Sequence, residues 1–363
     1  MKFTSLPQAP VIEDVWDKLK GETRPLVVWG MGNGADKLLL EFEKRGLEAS
    51  DFMASDGFVR GQSFHGKVVL SYGAVKEKYE NFVLVLAFAS SREEVLELMF
   101  QRAEECTLYM PDLPVCGEQY FDKTFYNAHS EEFQRVYDLL ADQTSKDLYA
   151  AMLRYKLTGD ITILREAYTE AEETKQLLSP KDISVYVDLG AYNGDTLKGM
   201  ISMGAPLTHA ICVEPDKRTF KKLSAYAQTL EGIRVDVINA AVWDTCDTGV
   251  FEASGNRNSS ISNPSHQHRT QEVSLVTVDS LCEGVKPDYI KYDVEGSEAA
   301  AILGSALTFR HRPKTLISLY HRSEDLYALP LLFLEQNPTY RLYIRRPKCV
   351  PAWEINLIAL PNG

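Results

Sequence analysis

No apolar run in the chain approaches the ~20 residues that would cross a bilayer, so a membrane span is not expected. Cysteine is scarce, six in 363 residues, at positions 106, 116, 212, 246, 282 and 349. No pair has C-x-x-C spacing, and Cys212 lies inside an apolar run, so the thiols read as free ones in a reducing compartment. The opening MKFTSLPQAPVIEDVW lacks the apolar core of a secretory signal. A cytoplasmic protein is therefore the expectation. Positive charge is also short: 39 Lys and Arg against 51 Asp and Glu, a formal net charge of −12. A duplex nucleic-acid binder needs a basic face, so nucleic acid is not an expected partner. There are no blocks of like charge, no internal repeats and no low-complexity tracts; the charges are interspersed and read as solvated surface.

What is present is globular: 45% hydrophobic and 25% charged residues, in a length that suits two or three domains. The divisions expected are 1–115, a small Rossmann-like α/β domain; 116–180, a helical linker; and 181–363, a doubly wound α/β domain.

The stretch Val185–Thr196, VYVDLGAYNGDT, organises the chain. An apolar strand ends at Asp188, turns through Gly190, Tyr192, Asn193 and Gly194, and leads into a helical pattern. A buried strand that turns over glycines into a helix N-terminus is a ligand-binding switch, because glycine admits a close approach and the helix offers free N–H groups. A second strand, His209–Val213, ends at Glu214-Pro215. A carboxylate at that place can accept hydrogen bonds from both hydroxyls of a ribose. A third, Asp288–Tyr292, ends at Asp293, followed by Val294-Glu295-Gly296-Ser297-Glu298. The expectation is that three carboxylates point into one crevice.

GAYNGDT, CVEP and KYDVEGSE, in that order, resemble the S-adenosylmethionine-dependent methyltransferases of the FkbM family, over about the last half of the chain. SLYHRSEDL adds to the likeness, since that family tends to place a histidine at this strand end, here His321. The resemblance implies a class I methyltransferase sheet and S-adenosylmethionine as cofactor. It places Asp188 and Gly190 at the methionine part, Glu214 at the ribose, and Tyr192, Asn193, Gly194, Pro215 and Asp293 around them. It also implies a serine-bearing loop near Ser259 and Ser260 lining the pocket. The acceptor it suggests is a hydroxyl of a sugar, nucleotide-sugar or related small molecule, methylated on oxygen.

Methyl transfer to a hydroxyl needs a group that takes the proton, and His321, Asp293 and Glu295 are the candidates. Of these His321 is favoured as base, with Asp293 orienting it or meeting the cofactor and Glu295 capping the following helix as the alternative role. The spacing of Asp293, Glu295 and His321 is not a metal signature, so no metal is expected.

In the first domain, Leu26–Trp29 runs into Gly30-Met-Gly32-Asn-Gly34-Ala35, and a second strand near 48–54 ends at Ser55-Asp56. Gly30, Gly32 and Asp56 could hold a nucleotide, or the glycines could only allow a close strand-to-helix crossing. Ser91–Glu94 reads as a capping box. A nicotinamide-dependent oxidoreductase built on this domain, and a binding partner without catalysis, are the rival readings. A homo-oligomer is compatible with the sequence.

Overall fold

The computed structural model describes residues 4–252 and 270–362; Ser259 and Ser260 lie outside them. Helix α1 (Val15–Lys20) precedes a first sheet. Its strands are β1 (Leu26–Trp29), β2 (Asp51–Met53), β5 (Val83–Leu86) and β6 (Thr107–Tyr109), in the order β2-β1-β5-β6 and all parallel. A short hairpin, β3 (Ser63–Phe64) and β4 (Lys67–Val68), stands beside it. Helices α2 (Asn33–Arg45), α3 (Tyr72–Lys78) and α4 (Glu93–Glu105) connect the strands. Every residue of β1 and β5 is buried, which is why these strands read as unbroken apolar runs rather than alternating ones.

The glycine loop has a packing cause. A Cβ at Gly34 would sit 2.3 Å from the Ala87 carbonyl oxygen, and one at Gly30 would sit 3.3 Å from it. Helix α2 thus crosses the end of β5 at a distance only glycine permits. Gly32 is the N-cap of α2, with open space around it, and Asp56 is exposed at the start of a short turn. The capping box at Ser91–Glu94 does not form. Arg92 is the N-cap of α4 and has no side-chain cap; its guanidinium instead holds the Glu94 carboxylate, with Nε 2.8 Å from Oε1.

Five helices follow: α5 (Lys123–Ala128), α6 (Ser130–Leu139), α7 (Gln143–Thr158), α8 (Thr162–Glu166) and α9 (Ala171–Leu178). Helices α8 and α9 are separated because Thr169 turns away. Its N–H donates to the Arg346 carbonyl at 2.8 Å and its hydroxyl to the same oxygen at 3.0 Å. Helix α7 is buried almost all round, from Leu148 to Leu157 apart from half-buried Arg154. Such a helix is a core element rather than a surface one.

The second sheet has seven strands. In chain order its first three are β7 (Val185–Leu189), β8 (His209–Val213) and β9 (Arg234–Ile238). A small side sheet follows, made of β10 (Ala241–Val242), β11 (Asp247–Glu252) and β12 (Thr270–Val276). The main sheet resumes with β13 (Tyr289–Tyr292), β14 (Lys314–Ser318), β15 (Tyr340–Arg345) and β16 (Asn356–Pro361). Its order is β15-β16-β14-β13-β7-β8-β9, parallel except for β16, which is antiparallel to both neighbours. Helices α10 (Asp195–Ser202), α11 (Lys217–Ala227), α12 (Val278–Leu281), α13 (Glu298–Leu303) and α14 (Asp325–Gln336) cover it. Among the described residues no helix is long and apolar enough to cross a membrane.

One apolar core joins the two sheets. Trp29 and Leu86 of the first, Tyr149, Met152 and Tyr155 of α7, and Val187, Ile290 and Leu357 of the second belong to a single buried cluster. Polar ties reinforce the seam. Asp142, at the start of α7, takes both guanidinium nitrogens of Arg345, at 3.3 and 2.6 Å. Ser145 accepts from the Ile344 N–H at 2.9 Å.

Candidate functional site

The parallel strands β7, β8 and β13 end on one side of the sheet, as strands of a doubly wound fold must, and a crevice opens there. A cavity of about 260 Å³ occupies it, with Gly190, Tyr192, Glu214, Pro215, Asp293 and Glu295 in its wall. Gly190 is required where it stands. Its φ is +80°, and a Cβ would lie 1.8 Å from the Asp293 carbonyl oxygen, so the turns after β7 and β13 could not meet around any other residue. Tyr192 (φ +47°) and Glu295 (φ +54°) also hold left-handed backbones. Non-glycine residues in that region concentrate where function fixes a side chain.

Glu214 is 7% exposed. Its Oε2 accepts from the Tyr192 N–H at 2.9 Å and its Oε1 from the Asp216 N–H at 2.8 Å. Burial dominates over these bonds and pushes the carboxyl up to about 7. Such a group gains from any ligand that brings further donors to it.

Not all three strand-end carboxylates reach the cavity. Asp188 is fully buried and turned inside the sheet end, where the Thr196 hydroxyl donates to it and Lys291 Nζ lies 3.7 Å away. The expectation of a cavity-facing Asp188 is thus corrected: its side chain fixes the turn rather than lining the crevice. Lys291 also lies 2.9 Å from Asp293 Oδ2. Burial opposes the charge of Lys291, but Asp293 and Asp188 outweigh it and keep the ammonium protonated. Burial likewise works against the Asp293 carboxylate, and Lys291 and His321 overcome it, holding Asp293 at about 2. Asn193 and Gly194 do not line the cavity either; Gly194 is the N-cap of α10, packed under Tyr226.

His321 stands just beyond β14, 1% exposed, behind the cavity wall. Three carboxylates surround it. Nδ1 is 2.8 Å from Glu298 Oε1; Nε2 is 3.5 Å from Asp293 Oδ1 and 3.8 Å from Glu295 Oε2. Burial disfavours the imidazolium, but these acids, Glu298 foremost, lift it to about 10. A shielded, already charged imidazole does not fit the role of general base expected for it. The carboxylate nearest the ring is that of Glu298 rather than Asp293. Glu298 also accepts from the Val294 N–H at 2.8 Å and the Gly296 N–H at 3.0 Å, so it, not Glu295, satisfies the loop before α13. Glu295 faces the cavity, and burial raises its carboxyl to about 8. Tyr320 donates to Asp293 Oδ1 at 3.1 Å.

The first domain reaches this site. Lys37 of α2 donates to the carbonyls of Pro114 at 3.3 Å and Val115 at 2.9 Å, and Val115 is part of the cavity wall. The Cys116 N–H donates to the His321 carbonyl at 3.0 Å.

Sequence reasoning missed Lys291, Glu298, Val115, Tyr320 and Trp353. Lysine inside an apolar strand, at Lys291, was the one visible signal, because a buried ammonium requires acidic partners.

A seven-stranded sheet of this order, with the last pair antiparallel and a cavity over the ends of its first, second and fourth strands, defines a class I methyltransferase fold. Residues 188–342 match the family described as the methyltransferase FkbM domain. The methyltransferase FkbM of Methylobacillus flagellatus has a similar structure at 20% identity, with 99% of this chain and 95% of that one covered and a TM-score of 0.70. That likeness spans both sheets. Fibrillarin of Aeropyrum pernix, solved with natively bound S-adenosylmethionine, matches 50% of this chain and 67% of its own at 13% identity and a TM-score of 0.31. An rRNA methylase of Streptococcus thermophilus matches 53% of this chain and 97% of its own at 11% identity and a TM-score of 0.34. No curated protein matches the sequence. S-adenosylmethionine is the cofactor of such a domain, and the residues present suit it: the Gly190 turn and the buried carboxylate of Glu214 share one cavity wall.

Proposed function

We propose that the protein methylates a hydroxyl oxygen of a sugar, nucleotide-sugar or related small polyhydroxylated acceptor. The observation that carries this reading is the composition of one cavity: Asp293 and Glu295 line it together with Tyr320 and Trp353, beside Gly190 and Glu214. Carboxylates accept from neighbouring hydroxyls, and aromatic faces cover the apolar faces of sugar rings.

When bound, S-adenosylmethionine supplies an activated methyl group on a sulfonium. Glu214 would take its ribose hydroxyls, and the backbone at Gly190 would admit its methionine part. Asp293 and Glu295 would hold the acceptor hydroxyl in line, and Glu295 would receive its proton as the oxygen takes the methyl group. His321 and Lys291 serve as positioning residues that fix these carboxylates.

The test is transfer of tritiated methyl over a panel of hydroxylated sugars and nucleotide-sugars, with the product's methyl located by NMR. Glu295→Gln should lower kcat by about 10²–10⁴-fold, the range a positioned proton acceptor supplies. Label appearing on nitrogen, carbon or sulfur of the preferred acceptor would refute the oxygen assignment.

A further inference from the structure

We propose that His321, Asp293 and Glu295 form a binding site for a first-row divalent cation such as Mn²⁺ or Zn²⁺. The use of that ion deepens the proposed O-methylation; its existence does not depend on that reading.

His321 Nε2 is buried, has no hydrogen-bond partner among the described residues, and faces Asp293 Oδ1 at 3.5 Å and Glu295 Oε2 at 3.8 Å. Ligand bonds of about 2.0–2.2 Å put two ligands of one ion roughly 3.0–3.6 Å apart. The first separation matches and the second exceeds it by a few tenths of an ångström. Neither is the short contact of a made hydrogen bond.

The other ring nitrogen supports the same assignment. A metal-bound histidine usually gives its second N–H to a carboxylate, which fixes the ring. Here Glu298 Oε1 lies 2.8 Å from Nδ1, out of hydrogen-bond alignment but within a small rotation of it. Glu298 is itself pinned by the N–H groups of Val294 and Gly296, on the loop that carries Glu295. Ligand atoms of Asp293, Glu298 and His321 all lie within 4.8 Å of one another.

At Nε2 the ion would take the place of the proton that the surrounding acids otherwise keep on the ring. Lys291 is committed to Asp293 Oδ2, 2.9 Å away, so the ion would take Oδ1, which also accepts from the Tyr320 hydroxyl at 3.1 Å. One imidazole with two carboxylates suits Mn²⁺ or Zn²⁺ better than Mg²⁺, which prefers oxygen and water alone. Asp293 and Glu295 line the cavity, so an ion between them has an open face toward the acceptor oxygen. The carboxylates would then act as ligands, and the hydroxyl proton would pass to water.

The experiment uses the full chain, stripped with a chelator and free of donor and acceptor. It is titrated with MnCl₂, free Mn²⁺ is read by electron paramagnetic resonance, and Zn²⁺ serves as competitor. One saturable ion per chain is expected. Its affinity should fall at least about tenfold in Glu295→Gln and in His321→Ala, and about 10–100-fold in Glu298→Gln, as for outer-shell partners elsewhere. Glu295→Gln alters a cavity-wall side chain, so it keeps the test decisive if His321→Ala does not fold. Absence of a saturable ion with either metal would overturn the proposal. So would an affinity unchanged in the folded variants, the outcome expected of surface acids on a chain of net charge −12. Because no methyl transfer is measured, loss of the cation site leaves the O-methylation reading standing. A wrong acceptor class, in turn, leaves the cation result standing.

Discussion

Glu214→Gln should raise the stability of the ligand-free protein in alkaline solution while weakening its hold on the cofactor. Burial lifts the Glu214 carboxyl from 4.5 to about 7. At about 1.4 kcal/mol per pKa unit, keeping it ionised costs roughly 3 kcal/mol. The sign follows from proton binding. Between pH 4.5 and 7 the folded chain binds this proton more readily than the unfolded one, so this group's contribution falls as pH rises through that window and is flat above it. Glutamine removes the slope. It keeps only one carbonyl oxygen for the two N–H groups of Tyr192 and Asp216, a loss of about 1 kcal/mol. The variant should therefore be about 1 kcal/mol less stable than wild type near pH 4 and roughly 2 kcal/mol more stable near pH 8, by urea unfolding at both. Calorimetry with S-adenosylhomocysteine should show the opposite preference. Loss of a charged acceptor costs about 1.5–3 kcal/mol, roughly ten- to hundredfold in Kd. Wild-type affinity should decline below pH 7 as Glu214 protonates, and the variant's should not. A stability difference that does not move with pH, or equal affinities, would refute the reasoning.

Three further outcomes are expected. Gly190→Ala forces a methyl group onto the Asp293 carbonyl at positive φ and should cost at least about 2 kcal/mol by thermal unfolding, with binding of S-adenosylhomocysteine lost. Lys291→Met leaves Asp188 and Asp293 without their shared cation and should cost about 3–5 kcal/mol; adding Asp188→Asn should restore part of it, and additive losses would contradict the shared-charge account. A fragment of residues 181–363 should be insoluble or molten by near-ultraviolet circular dichroism, because it lacks α7 against β15, and a well-folded fragment that binds S-adenosylhomocysteine would contradict the single core.

Much of the second sheet was legible because its strands are short apolar runs bounded by turn residues. His209–Val213 and Arg234–Ile238 fall where the runs do. The positions of Glu214 and Asp293 on the crevice followed from strand ends alone. What the sequence hid depends on side-chain direction. Asp188 lies within β7 and pairs with Cys212, whereas Glu214 stands just past the end of β8; one turns inward to Lys291 and the other lines the cavity. Glu298 reads as an exposed first-turn carboxylate, but the left-handed backbone at Glu295 folds the loop back so that Glu298 is buried against His321. The break between α8 and α9 depends on Arg346, a partner 177 residues away, beyond any local signal.

The seam between α7 and β15 bears on the order in which a growing chain can fold. Helix α7 is complete by Thr158, yet the strand that covers it does not begin until Tyr340. During synthesis the face that β15 covers therefore stays open while about half of the 363 residues are made. A ribosome that stops short of the last two strands releases a chain whose middle has nothing to close against, which is the kind of species chaperones hold and proteases remove. The last two strands thus act as a completeness check on α7.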